Sequence, residues 1–306
     1  MYLASMIQPV FILGIHGRSG TNFLFQLLGL HPDVVFPKHP GEDFLVAYLP
    51  HLESFDQALV NRWNDRWGDS AQKSLELKDS LSRGMIDYLA PDGALEEDAK
   101  ILLTKTPSTE NLHLFPTFFP DAKLIIITRD GRDVAESGFR SGFWPHEVCF
   151  QEWKQSAQRI RAFKEANPNS QQLMVVKYED LLNELSSTLP ELLKHCGLDE
   201  ALFDYSKAAE LPVFGSSTYR GKTEKLNWVP EQKTESFKPT QRWAAWPDRL
   251  KARYHWVCGE EAEELGYKSF DEHSKGIRLP DNLLQDLYLG LKRQFGPWIR
   301  KYYPAS

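Results

Sequence analysis

A turn rich in glycine, serine and threonine near the start of the chain combines one arginine with several groups that can bind an anion. The apolar run Phe11–Leu13 precedes this turn, and a second apolar run begins at Phe23. Successive backbone N–H groups in such a turn can point at one anion, and a following helix adds the positive end of its dipole. The sequence therefore predicts a phosphate-binding loop made of Gly17, Arg18, Ser19, Gly20, Thr21 and Asn22.

This turn differs from the loop of an ordinary nucleotide kinase. In the kinase pattern G-x-x-x-x-G-K-[ST] a lysine follows the second glycine, whereas here Thr21 follows Gly20 directly. The core Arg-Ser-Gly-Thr resembles the 5′-phosphosulfate loop of sulfotransferases that use 3′-phosphoadenosine 5′-phosphosulfate (PAPS). The resemblance implies that the loop binds the 5′-phosphate and the sulfuryl group of PAPS.

A second candidate anion site lies in residues 122–137. An apolar run ends at Arg129, and Asp130 can cap a helix that carries Ser137 two turns later. The forked donors of an arginine and a nearby hydroxyl can bind one phosphate together. The similar sulfotransferase pattern R-D-P-R-D-x-x-x-S binds the 3′-phosphate, which implies this role for Arg129 and Ser137. Gly131 replaces the usual proline, and we expect it to loosen the turn without removing a contact.

Two further positions are candidates for the transfer chemistry that the resemblance implies. Sulfuryl transfer needs positive charge at the oxygen that leaves with adenosine 3′,5′-bisphosphate, and a base at the acceptor. Lys105 follows an apolar strand in a Lys-Thr-Pro run similar to one in tyrosylprotein and heparan sulfotransferases, so Lys105 and Arg18 are the expected cations. Glu42 lies in a segment that resembles the Gly-Glu-Glu segment of tyrosylprotein sulfotransferases and is the expected general base.

Three histidines remain alternatives for the general base. Cytosolic sulfotransferases use a histidine after a Lys-Thr pair, and Pro107 occupies that position here. This difference favours Glu42, but the sequence leaves the choice open between Glu42 and the histidines His16, His39 and His113.

Residues 211–242 lack hydrophobic periodicity, which predicts either a functional loop or a solvated surface loop. This segment is similar to the late loop of sulfotransferases that folds over the nucleotide. A Tyr-Glu-Asp-Leu run at a strand end also matches the family, and its tyrosine either contacts the nucleotide or only packs. The resemblance therefore adds these expected nucleotide ligands: Tyr178, Ser216, Ser217, Thr218, Arg220 and Gly221.

The elements that must position these residues alternate between strand and helix. This alternation predicts an α/β fold with a parallel central sheet, helices on both faces and ligands at the carboxyl edge of the strands. The resemblance implies the P-loop-like sulfotransferase fold. Strands are predicted at residues 10–15, 33–36, 100–104, 123–128 and 173–177, and helices at 21–30, 109–117, 131–140, 146–166 and 282–295.

Composition limits the class of protein. The 306 residues are 42% hydrophobic and contain no linker-like tract, which favours one domain over residues 1–306. An acceptor-side insert is expected at about 43–99, and the cofactor-covering loop at about 211–242. The net charge of −6 argues against a nucleic-acid or anionic-membrane surface.

Cysteine spacing and hydropathy predict a cytoplasmic protein. The 3 cysteines lie far apart without the spacing of a metal site, which favours free thiols in a reducing compartment. No apolar run is long enough to span a membrane, and the first strand begins too early for a signal peptide. A Golgi-anchored relative without its anchor would show the same pattern. The helix predicted at 282–295 either closes the domain or forms a homodimer contact.

The expected reaction uses PAPS as co-substrate without a metal, and its acceptor is a small molecule, a carbohydrate or a peptide. A nucleotide or small-molecule kinase with an altered loop is an alternative that would need Mg²⁺ and an acidic residue at a strand end. A non-catalytic nucleotide-binding protein is another. A comparison of ADP with the bisphosphate tests the first alternative, and turnover tests the second.

Overall fold

A computed structural model describes residues 7–39, 41–63, 68–92, 100–212, 239–268, 280 and 282–291. The chain divides into two compact units, Met1–Arg242 and Trp243–Ser306. The first unit contains the sheet and all the predicted site residues that are described. The single domain over residues 1–306 stays a prediction.

The first unit is built on a five-stranded sheet in the order β2-β3-β1-β4-β5, and all of its strand pairs are parallel. The fold is therefore α/β with a parallel central sheet, as predicted. The strands are β1 (Gln8–Gly14), β2 (Val34–Val35), β3 (Ile101–Thr106), β4 (Lys123–Thr128) and β5 (Leu173–Lys177).

The central strands are buried along almost their whole length. Residues 10–13 of β1 and 124–127 of β4 are 0% exposed. Parallel strands covered on both faces consist of nearly continuous apolar residues, which is why their positions could be predicted from the sequence.

Helices lie between successive strands, and further helices follow the last strand, β5. In the described part of the chain, short 3₁₀ turns lie at Leu112–Leu114, Glu200–Leu202 and Arg242–Ala245, and residues 282–291 are helical. None of the described helices is long and apolar enough to cross a membrane. The α-helices are α1 (Thr21–Leu28), α2 (Leu45–Val60), α3 (Ser70–Leu89), α4 (Phe115–Phe118), α5 (Gly131–Arg140), α6 (His146–Ala166), α7 (Tyr178–Asn183), α8 (Leu185–Cys196), α9 (Tyr205–Glu210) and α10 (Asp248–Glu264).

The helix predicted at residues 109–117 is wrong as a continuous element. Leu112–Leu114 form a 3₁₀ turn, and α4 begins only at Phe115. Asn111 has a φ of 57°, a left-handed conformation that a right-handed helix cannot contain. In contrast, the predicted limits of α5 and α6 are confirmed.

The strand order places a topological switch point at the carboxyl end of β1. The chain adds β2 and β3 on one side of β1 and then β4 and β5 on the other. Such a switch point is where open α/β sheets bind ligands. Leu13 pairs with Thr106 and Gly14 with Ile127, so the ends of β3 and β4 lie beside the end of β1.

Candidate functional site

The loop between β1 and α1 is folded tightly against the sheet. The backbone N–H of Ile15 donates to the carbonyl oxygen of Ile127 at 2.9 Å, and that of Ser19 donates to His16 at 3.2 Å. Arg18 has a φ of 73° and Gly20 a φ of 102°. Because Gly20 lacks a Cβ, this left-handed conformation costs it little.

Gly20 also allows the loop to close on Tyr178. A Cβ at Gly20 would lie 2.4 Å from Cδ2 of the Tyr178 ring, which is closer than any real contact. Tyr178 begins α7 at the end of β5 and is 5% exposed. The structure therefore brings this predicted ligand against the predicted phosphate loop.

The hydroxyl of Ser19 is buried inside this loop. Ser19 is 0% exposed, and its Oγ has no hydrogen-bond partner in the described part of the chain. A buried polar group without a partner costs about 1–3 kcal/mol. The hydroxyl is therefore suited to an oxygen of a ligand held by the loop.

Arg129 joins the first loop to the end of β4. Its Nη1 donates to the carbonyl oxygen of Arg18 at 2.6 Å, and its Nη2 donates to that of Pro239 at 2.5 Å. Its guanidinium carbon lies 4.5 Å from the centre of the Tyr178 ring. The buried Nε has no hydrogen-bond partner among the described residues, so its N–H can donate to a ligand.

The two predicted phosphate sites adjoin each other. Nε of Arg18 donates to Oγ of Ser137 on α5 at 3.2 Å. The side chain of Asp130 accepts from the backbone N–H of Arg132 and so caps this helix, as the sequence predicts. The arginine of the first motif therefore reaches the hydroxyl of the second.

Sequence reasoning gave no role to Arg242, which the structure adds to this cluster. The carboxylate of Asp133 on α5 accepts from the backbone N–H groups of Gln241 and Arg242, each at 2.9 Å. Burial raises the pKa of Asp133, and the charge of Arg129 opposes this shift. The only signal in the sequence was a basic residue at the end of a loop without periodicity.

Three guanidinium groups are thus concentrated at the sheet edge. Burial, followed by the charges of Arg129 and Arg242, lowers the pKa of Arg18 to about 10. Burial, followed by the charge of Arg129, also lowers the pKa of Arg242. Partly desolvated cations held close together are stabilised by a bound anion, so the cluster is suited to phosphate.

Glu42 and Lys105 form an ion pair at the end of β3. Their side-chain atoms Oε1 and Nζ are 3.6 Å apart, and the two side chains are 25% and 7% exposed. Burial lowers the pKa of Lys105, and the charge of Glu42 opposes this shift. The structure therefore brings the predicted base and the predicted cation together.

Hydrogen bonds to β3 fix the backbone around Glu42. Thr104 donates its hydroxyl proton to the Asp43 carboxylate at 2.5 Å, and Asp43 accepts from the backbone N–H of Leu45 at 2.7 Å. Burial raises the pKa of Asp43, and the bond from Thr104 opposes this shift. The backbone N–H of Phe44 donates to Oγ1 of Thr106 at 3.0 Å.

The histidine alternatives have different surroundings. Nε2 of His16 lies 2.8 Å from the Glu152 carboxylate, and His16 is 6% exposed. The ring of His39 lies 5.3 Å from that of Tyr88 on α3, and His113 is exposed in a 3₁₀ turn. Of the four candidate bases, Glu42 is the one in an ion pair with Lys105.

Backbone strain is concentrated in the same segments. Four described non-glycine residues have positive φ angles, and one of them, Asn111, is a type that tolerates this conformation. The other three are Arg18 in the phosphate loop, Phe44 beside Asp43, and Gln241 at the Asp133 contact. Strained residues cost about 1–3 kcal/mol each and cluster at functional sites.

The remaining predicted ligands belong to the late loop. Ser216, Ser217, Thr218, Arg220 and Gly221 lie outside the described residues. Their roles stay predictions.

Comparison with known proteins identifies the family to which the chain is similar. The model of the Sulfotransferase family matches residues 9–202. An uncharacterized protein of Aquifex aeolicus is 25% identical over 248 residues, which are 71% of this chain and 30% of that protein. Protein-tyrosine sulfotransferase 1 of Danio rerio is 24% identical over 197 residues, 61% of this chain and 52% of that protein. The matches thus cover about half or less of these relatives.

Two solved structures share the fold. The sulfotransferase domain of the Synechococcus PCC 7002 olefin synthase has a TM-score of 0.56 and 20% identity, and the match covers 86% of this chain and 96% of that domain. The sulfotransferase domain from the curacin biosynthetic pathway has a TM-score of 0.50 and 17% identity, with 86% and 99% covered.

Proposed function

The chain belongs to the sulfotransferase family, and from this premise we propose that it transfers the sulfuryl group of PAPS to a hydroxyl or amine acceptor. The observation that carries the proposal is the cluster of Arg18, Arg129 and Arg242 beside a loop whose buried serine hydroxyl has no hydrogen-bond partner among the described residues. A nucleotide with phosphate groups at two ends would neutralise several of these cations at once.

We assign one end of the nucleotide to each of the two adjoining motifs. The loop of residues 17–22, with the Ser19 hydroxyl and the amino end of α1, would bind the 5′-phosphosulfate. Arg129 and Ser137 would bind the 3′-phosphate, with Arg242 as a further cation. Tyr178, which packs against both Gly20 and Arg129, would hold the nucleotide between the two ends.

The ion pair at the end of β3 supports an in-line transfer. The acceptor oxygen or nitrogen forms a bond to sulfur while the bond from sulfur to the bridging oxygen breaks. Glu42 takes the acceptor proton, and Lys105 stabilises the negative charge on the oxygen that leaves with adenosine 3′,5′-bisphosphate. Arg18 adds a second positive charge from the side of Ser137.

The experiment that tests the proposal is turnover with PAPS. Release of adenosine 3′,5′-bisphosphate is measured with a tyrosine peptide, a sugar and a small phenol as acceptors. We expect turnover with at least one of them, and a fall in kcat of about 10²- to 10⁴-fold in Glu42→Gln, because a general base contributes about this factor. Bisphosphate affinity should stay within about twofold of wild type, because the ion pair of Glu42 is with Lys105 and not with Arg18, Arg129 or Arg242.

The matched control is Glu165→Gln, which removes the charge of an exposed glutamate near the end of α6. This variant should keep the wild-type kcat. Full activity in Glu42→Gln would remove Glu42 as the base, and bisphosphate binding without turnover on any acceptor would favour a non-catalytic binding protein.

A further inference from the structure

The segment between α5 and α6 places an indole ring between the two phosphate-binding elements. The segment turns at Gly142, which has a φ of 72°, and leads to Trp144 just before α6. A Cβ at Gly17 in the first loop would lie 2.6 Å from Cη2 of Trp144. A Cβ at Gly138 on α5 would lie 2.9 Å from Cε3 of the same ring. One side chain therefore occupies the space that two glycines leave open.

These distances couple the first loop to α5. Gly17 precedes Arg18, the loop residue whose guanidinium contacts Ser137, and Gly138 follows Ser137. The partly buried indole lies against both glycines at contact distance, so its size sets the distance between the two backbones. The ring therefore sets the distance between the loop proposed to bind the 5′-phosphate and the helix α5, which carries Ser137, a proposed ligand of the 3′-phosphate.

Neighbouring side chains hold the indole and the loop in place. The ring of His16 meets Trp144 edge-on, with 5.0 Å between the ring centres. Nε2 of His16 lies 2.8 Å from Oε2 of Glu152 on α6. The ring of Phe143 is tilted by 39° against that of Trp144, with 5.3 Å between the ring centres, and the Arg18 guanidinium lies 5.9 Å from the centre of the Phe143 ring.

We infer that Trp144 is a positioning residue which sets the spacing between the two phosphate sites and thereby gives the protein its preference for nucleotides with phosphate at both ends. The inference rests on the proposed function. A nucleotide with only a 5′-phosphate uses the loop alone, so its binding depends less on this spacing. A 3′,5′-bisphosphate must contact the loop and α5 at the same time, so its binding depends strongly on the spacing between them.

A double-mutant cycle between Gly17 and Trp144 tests the inference. Gly17→Ala adds a methyl group where the indole already lies, and Trp144→Leu removes the ring atoms that this methyl would meet. We expect Trp144→Leu to weaken adenosine 3′,5′-bisphosphate binding about tenfold or more and AMP binding much less, whereas Gly17→Ala, which lies in the 5′-phosphate loop itself, should weaken binding of both nucleotides. The double variant should bind the bisphosphate no more weakly than either single variant, because the clash is gone.

Two controls separate positioning from general damage. Trp256→Leu removes a tryptophan that is 39% exposed on α10, and Gly84→Ala adds a methyl in α3 where no atom lies within 4 Å. Both should keep the wild-type ratio of bisphosphate to AMP affinity. All affinities are measured well below each variant's unfolding temperature, with circular dichroism to show that the variant is folded.

The outcomes distinguish the two proposals. A wild-type protein without preference for the bisphosphate over AMP would overturn the proposed function itself. Wild-type preference that survives unchanged in folded Trp144→Leu would overturn the role of Trp144 and leave the proposed function intact. Losses of affinity that simply add in the double variant would also overturn it.

Discussion

Arg129 uses its forked side chain to hold two backbone segments and still presents a third donor. Both terminal nitrogens donate to carbonyl oxygens, of Arg18 and of Pro239, while the buried Nε has no partner among the described residues. Lysine has one nitrogen in place of this fork and cannot reproduce the geometry. The identity of this residue therefore matters beyond its charge.

We predict that Arg129→Lys weakens binding of adenosine 3′,5′-bisphosphate about 10- to 100-fold, because hydrogen bonds to charged groups contribute about 1.5–3 kcal/mol. AMP, which lacks the 3′-phosphate, should lose much less affinity. Isothermal titration calorimetry with both nucleotides measures the two effects.

The matched control is Arg83→Lys in α3, where the side chain is 51% exposed and pairs with Asp79 one turn earlier. Its affinities should equal those of wild type. An equal loss of AMP and bisphosphate affinity in Arg129→Lys would contradict the assignment of Arg129 to the 3′-phosphate.

For single residues, the sequence could indicate some members of the candidate site and not others. Gly17 to Asn22 lie in one short run, so a shared role in anion binding could be proposed from local spacing. The hydrogen bond between Asp133 and the backbone of Gln241 joins residues that are 108 positions apart in the sequence. A local sequence pattern cannot predict a contact between such distant positions. Arg242 was missed for this reason.

At the scale of elements, the loop from β1 to α1 depends on the left-handed conformation of Gly20. We predict that Gly20→Ala lowers the unfolding temperature by several degrees and abolishes detectable bisphosphate binding. The substitution adds about 1–2 kcal/mol of backbone strain at a φ of 102° and a clash at 2.4 Å with the Tyr178 ring.

The same substitution in a helix provides the control. Gly84 lies inside α3, and no atom lies within 4 Å of its potential Cβ. Gly84→Ala should stabilise the fold by about 0.5–1 kcal/mol, because alanine favours the helix over glycine. Differential scanning calorimetry measures both variants, and an unchanged unfolding temperature in Gly20→Ala would contradict the described loop geometry.

The phosphate loop also predicts a pH dependence. The pKa of Arg18 in the free protein is about 10, lowered by burial and by its cationic neighbours. A bound phosphate favours the charged guanidinium and so raises this pKa. The contribution of Arg18 to bisphosphate affinity should therefore stay constant below a pH of about 10 and should fall as the pH rises above it, because the free form loses its proton first.

Titrations of wild type and Arg18→Gln across this pH range isolate the contribution of Arg18. The variant should bind the bisphosphate more weakly than wild type at neutral pH. Above a pH of about 10 its affinity should fall less steeply than that of wild type, because Arg18 is no longer there to lose its proton. An identical alkaline slope in both proteins would show that other groups are responsible.

The strands and long helices could be predicted because their patterns are local. β1 and β4 contain continuous apolar runs, and α6 has an apolar stripe. Each of these patterns lies within one segment, so the burial of the segment can be predicted from its own residues. The prediction failed at residues 109–117, where the left-handed Asn111 interrupts the helix. A single backbone angle of this kind is set by tertiary contacts as much as by residue type.

At the scale of the whole molecule, strand order turns separate motifs into one site. The phosphate loop follows β1, Lys105 lies in β3, Arg129 follows β4 and Tyr178 follows β5. All these strands run parallel, so their carboxyl ends meet at one edge. The alternation of elements predicts that shared edge, but the order of strands, which makes β1 central, becomes visible only in the structure.

We propose that this edge of the sheet binds a nucleotide with phosphate at both its 3′ and 5′ positions. The test is thermal unfolding of the wild-type chain with adenosine 3′,5′-bisphosphate, ADP and AMP, without metal. A ligand at about 100 times its Kd stabilises the folded state by about 2.7 kcal/mol, a shift of a few degrees for a protein of this size. We predict a shift with the bisphosphate that clearly exceeds those with ADP and AMP. An equal or larger shift with ADP, or no shift with any nucleotide, would contradict the account.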